Sequence, residues 1–132
     1  MSTNWPKSHH GHAAEYQVSG WPFVETYSLT GSFKVTFPQV TQWVQIQNLD
    51  NSKNLRVGFS ENGVSNTHYY LLRGGTTAPS ISPTLFVKCK EMWFRGNVAS
   101  DAIQFSVAAG LTSVMPSDFP TLTGSDGFTG VG

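Results

Sequence analysis

A chain of 132 residues is long enough to bury one apolar core and too short for a core plus a separate catalytic domain. Charged residues make up 12% of it, about half of the roughly 25% usual in soluble proteins, and eight Lys and Arg balance eight Asp and Glu. With no cationic excess there is nothing to grip a phosphate backbone, so direct nucleic-acid binding is not expected. The chain also has no apolar run of the roughly 18 residues that a membrane-spanning helix needs.

Residues 1–20 carry Pro, Gly and three histidines with little periodicity, which predicts an irregular N-terminal arm. The opening MSTNWPKSHHGHAAEYQ lacks the continuous apolar stretch of a secretory signal, so no signal peptide is expected. From there the pattern has period two. FVETYSL (Phe23 to Leu29) and SFKVTF (Ser32 to Phe37) are β-branched and aromatic runs joined through Thr30-Gly31, the pattern of a hairpin. TQWVQIQN (Thr41 to Asn48) puts Val44 and Ile46 on one strand face, with Gln45 and Gln47 opposite.

Asp50-Asn51-Ser52 is a turn cluster, after which NLRVGFS directs Leu55, Val57 and Phe59 to one side. Glu61-Asn62-Gly63 then ends that strand in a bend where Asn62 or Gly63 is suited to a positive φ. HYYLLR (His68 to Arg73) is a short strand closed by Gly74-Gly75, and TTAPSISP (Thr76 to Pro83), with two prolines, predicts a loop. TLFVKCKEMWFRG alternates Leu85, Val87 and Cys89 against Phe86, Lys88 and Lys90, then changes phase at Glu91. The change predicts a bulge or two abutting strands. In AIQFSVAAGLTSV, Ile103, Phe105 and Val107 form the inward face of a last strand, and residues 116–132 predict an irregular C-terminal arm.

The sum is an all-β chain: about eight antiparallel strands from residue 21 to 115 between two arms. Their number and their Gly and Pro turns imply a β-sandwich, with a single jelly roll as the leading topology and an immunoglobulin-like arrangement as the alternative.

Chemistry-bearing residues are sparse. His9, His10 and His12 are imidazoles of metal-binding type, but three ligands in an arm lack fixed geometry and a fourth partner, so no metal site is expected. His68 has no nucleophile signature near it, and Glu25, Asp50, Glu61, Glu91, Asp101, Asp118 and Asp126 are scattered. No catalytic residue and no cofactor are therefore expected. Cys89 stands alone and alternates with apolar neighbours, which reads as a buried thiol. Trp43 and Trp93 lie on the strand face opposite the aliphatic residues. That makes them candidate contact residues for a protein neighbour or, in a lectin-like sandwich, a glycan.

LRVGFSENGV, YYLLRGG, LFVKCKEMWFRG, IQFSVAAGLTSV and the terminal FPTLTGSDGFTGVG follow one another across the last two thirds of the chain. In their order and texture they resemble the small single-jelly-roll capsid proteins of large icosahedral DNA viruses, the penton and minor capsid proteins. The resemblance implies a non-enzymatic virion protein made in the host cytoplasm. As a penton it forms a pentamer at the fivefold vertices and contacts neighbouring major capsid proteins. A cement protein decorating the shell and a carbohydrate-binding sandwich are the alternatives. On this view Trp43, Trp93, Glu61, Asn62 and, in the terminal arm, Phe128 are the candidate interface residues.

Overall fold

The computed structural model describes residues 20–75 and 80–119. Among them are eight strands, β1 (Trp21–Thr30), β2 (Phe33–Thr36), β3 (Thr41–Asn48), β4 (Leu55–Gly58), β5 (Tyr70–Leu72), β6 (Ser80–Ile81), β7 (Glu91–Gly96) and β8 (Ala102–Leu111). One short helix, α1 (Glu61–Ser65), follows β4, and a 3-10 turn spans Pro116–Asp118. The strands form two antiparallel sheets, ordered β1-β8-β3-β6 and β2-β7-β4-β5. The all-β sandwich expected from the alternation is therefore present. Each step along the chain crosses from one sheet to the other, except β4 to β5, which are joined within the second sheet.

Alternation decides which side chains meet between the sheets. Val44 and Ile46 of β3, Leu55 and Val57 of β4, Met92 and Phe94 of β7 and Ile103, Phe105 and Val107 of β8 are all buried. Phe94 and Phe105 stack across the two sheets with ring centroids 4.5 Å apart, and Tyr27 and Phe33 extend the aromatic cluster from Phe105 toward one edge. Inward polar groups are individually satisfied. Asn48 Nδ2 donates to Leu72 O and Lys53 O, tying β3 to the end of β5 in the other sheet, while its Oδ1 accepts from Asp50 N. Buried amides hold such joints because leaving them unpaired costs more than the bond gains.

Four local expectations are corrected. β1 and β2 are not a hairpin: β1 pairs with β8 over ten residues and β2 with β7. Gly31, at φ 81°, lets the chain step from one sheet to the other instead of folding back. The bend at Glu61-Asn62-Gly63 needs no positive φ, since neither Asn62 nor Gly63 adopts one; the residues wind into α1, with Ser60 as its N-cap. Within 76–83, predicted as loop throughout, Ser80–Ile81 pairs with Asn48 and Gln47, while Ser82 N donates to Ile46 O and Ser82 Oγ accepts from Ile46 N. The phase change at Glu91 is neither a bulge nor two abutting regular strands. Leu85 bridges Val44 in the first sheet, Cys89 and Lys90 carbonyls accept from Thr41 and Phe37, and β7 begins in the second sheet. A segment that changes sheets changes the direction of its core, so its alternation must slip.

Candidate functional site

Two outer faces of contrasting chemistry flank the core. On β1, β8 and β3 the residues opposite the core form cross-strand rows: Pro22, Gly110 and Trp43; Val24, Ala108 and Gln45; Thr26, Ser106 and Gln47. Ile81 of β6 continues the third row. Glu25 is the sole charged residue in these four strands, and it pairs with inward-facing Val107, so the outward positions of these strands carry no charge. Val24 is 75% exposed beside the small Ala108 of β8, and Ile81, 54% exposed, stands beside Gln47 of β3 at the other edge. Thr26 and Ser106 hydroxyls bond each other at 2.9 Å, and Gln45 Nε2 donates to Ser82 O.

The second sheet presents Lys34, Glu91, Trp93, Arg95 and Arg56 outward, and α1 packs over part of it. Close approach explains the glycines of VGFSENGV: a Cβ on Gly58 would stand 2.8 Å from Val64 Cγ1, and one on Gly63 2.9 Å from His68 O. Ser60 Oγ accepts from Gly63 N at 2.8 Å, the bond of an N-cap. Two arginines from adjacent strands hold the other end, Arg56 donating to Val64 O at 2.9 Å and Arg95 at 3.4 Å. Arg56 also donates to Asn97 Oδ1 and lies 4.2 Å from the centre of the Tyr69 ring. Trp93 sits beneath Lys34, whose ammonium is 5.8 Å from the ring centre and 3.6 Å from a Glu91 carboxylate oxygen. Along the β4–β5 edge, Val57, Gly58 and Phe59 with residues 67–70 line an open groove of about 290 Å³.

The candidate contact residues fall into two groups. Trp93 is half-buried on the second sheet's outer side, and Glu61 and Asn62, both exposed, stand on α1 over the same side; Trp43 is half-buried on the first sheet's outer face. A single aromatic platform of Trp43 and Trp93 is thereby ruled out, because the sandwich separates them. Phe128 and the histidines His9, His10 and His12 lie outside the described residues. Among the described residues no three His, Cys, Asp or Glu side chains group as metal ligands.

Asp50 and Cys89 are engaged structurally. Asp50 Oδ1 accepts from the backbone N–H groups of Ser52 and Lys53, which lower its carboxyl below the ordinary range. Burial pushes the Cys89 thiol up to about 11 against a partly opposing hydrogen bond from Thr41. Thr41 Oγ1 donates to Val87 O at 2.7 Å and accepts from Cys89 N at 3.1 Å, so the cysteine belongs to a packing joint. The sequence reading missed the Arg56–Arg95–Val64 cluster, whose members are distant along the chain. It also missed Val24, although strict alternation against Phe23 and Tyr27 already directs that side chain outward.

These faces and this core define an all-β sandwich with two antiparallel sheets and no helix long and apolar enough to cross a membrane among the described residues. No family model matches the chain, and neither a curated protein nor a solved structure matches it.

Proposed function

We propose that this sandwich is a single jelly roll and that the protein is a non-enzymatic capsid component, a penton that forms a pentamer at fivefold vertices of an icosahedral virion. The observation that carries the proposal is the strand order. Eight strands alternating between sheets in the orders β1-β8-β3-β6 and β2-β7-β4-β5, with one hairpin at β4–β5, is how two Greek keys wrap into a jelly roll, an architecture of capsid subunits and of lectin domains. The two contact groups favour the assembling role. A closed ring is built from heterologous contacts, in which one patch meets a different patch on the next copy. Trp43 on one outer face and Trp93 with Glu61 and Asn62 on the other supply two such patches of different chemistry.

Native mass spectrometry and electron microscopy of the full chain, alone and with the major capsid protein of its particle, test the proposal. Fivefold rings, or density for the chain at fivefold vertices, are the expected result. A chain that stays monomeric at assembly concentrations and is missing from purified particles overturns it. A chain located between capsomers would instead assign the decorating role of a cement protein.

One observation favours a second reading, glycan binding. The groove beside Phe59, Tyr69 and Tyr70 has aromatic walls and an exposed Tyr70, the elements of a sugar-stacking site. A glycan array that gives a signal abolished by Tyr70→Ala would establish it, and a blank array would remove it.

A further inference from the structure

We propose that the outer face of the β1-β8-β3-β6 sheet is a docking surface for a second copy of this chain. Three observations converge on that occupant. Outward positions of the sheet carry no charge, whereas the other sheet displays Lys34, Arg56, Glu91 and Arg95. A face without charge meets its own copy without repulsion, and interface cores are depleted in charged side chains.

The polar groups that are present, Thr26, Ser106, Gln45 and Gln47, each carry both donors and acceptors. They are therefore complementary to the same groups on another copy. An acidic, basic or phosphate-bearing partner finds no counter-charge there.

The third observation is size. Three strands about 4.8 Å apart and about ten residues long give a flat area of roughly 490 Å². A face of that area against another copy buries on the order of 1,000 Å² in total, the lower bound for a specific protein contact. Val24 stands beyond the small side chains Ala108 and Gly110 of neighbouring β8, and Ile81 stands beside Gln47 at the opposite edge. They give the face relief into which a second surface can fit.

The proposal rests on the capsid reading only for the presence of neighbouring copies. It assigns the contact to a particular face and is tested separately from ring formation. Sedimentation velocity of the full chain over a wide concentration range, with variants Val24→Glu and Gln47→Glu, reads the contact directly. Both positions point away from the core, so the variants keep the fold, as far-UV circular dichroism would verify. Val98→Glu, in an exposed turn before β8, serves as the control.

The expected result is self-association weakened about tenfold or more by either face variant, because each buries an unpaired carboxylate, and unchanged by the control. A Val24→Cys chain should also cross-link to another copy. Association unaltered by both face variants overturns the proposal, as does a chain monomeric at several hundred micromolar, or a glycan or unrelated protein occupying the face while copies stay apart. Fivefold rings formed by a chain whose association is unaltered by both face variants would overturn this inference and leave the penton proposal standing. Twofold dimers through this face without rings would do the reverse.

Discussion

Removing Phe105 is the sharpest test of how the two sheets are held together. Its ring is fully buried, stacks on Phe94 of the opposite sheet at 4.5 Å, and lies 5.6 Å from Tyr27 and 6.2 Å from Phe33. Phe105→Ala leaves a void that three rings on two sheets border, and the expected cost is about 3–5 kcal/mol. Against a total stability of about 5–15 kcal/mol for a domain, that is a large fraction. In urea, with a slope of about 2 kcal/mol per molar, the midpoint should fall by roughly 1.5–2.5 M.

Because the alanine variant stands near the limit of folding, a cycle of Phe94→Leu, Phe105→Leu and the double variant isolates the stacking contact. The coupling should be about 0.5–1.5 kcal/mol. A coupling within about 0.3 kcal/mol of zero, together with a Phe105→Ala cost below about 1 kcal/mol, would refute the view that this aromatic stack clamps the sheets.

Two further predictions concern particular groups. The Cys89 thiol, raised to about 11 by burial, should react with a thiol reagent at pH 8 about 100-fold more slowly in the native chain than in urea. Since its folded value lies above its unfolded one, the stability it contributes is complete below about pH 9 and is lost as pH rises toward 11. Cys89→Ala should flatten that part of the profile in urea melts across the window, and an unchanged slope would contradict the assignment. Gly74→Ala should lower the melting temperature by roughly 8–12 °C, corresponding to about 2–3 kcal/mol. Its Cβ would come within 2.5 Å of Lys53 O and 2.9 Å of Asp50 O, both backbone atoms of a turn tied to Asn48. Gly20→Ala, which meets nothing within 4 Å, should leave the melt in place.

Strand positions and inward faces were legible in the sequence wherever alternation ran unbroken. TQWVQIQN is β3 residue for residue, and Ile103, Phe105 and Val107 point inward as their spacing requires. Pairing was not legible. FVETYSL and SFKVTF look like two arms of a hairpin because their connection is short and contains glycine, yet the core is shared by sending them to different sheets. Local chemistry cannot distinguish a turn that folds back from a turn that crosses over. The candidate contact residues were legible one by one as outward aromatic or loop positions. Their division into two faces was not, because that depends on which sheet each strand joins.

The sequence by itself determined that the chain is β-rich, that its core is drawn from alternate residues, and that few charges are available to any surface. These properties follow from composition and from the two-residue period of an extended chain, both of which are local. Tertiary structure alone decided that the sparse charges gather on one sheet and leave the outer face of the other neutral, and that Arg56 and Arg95 converge on one carbonyl of α1. It also turned the polar bend after β4 into a capped helical turn seated on glycine. Each of those outcomes depends on contacts between strands far apart in the chain, and no window of sequence contains both partners.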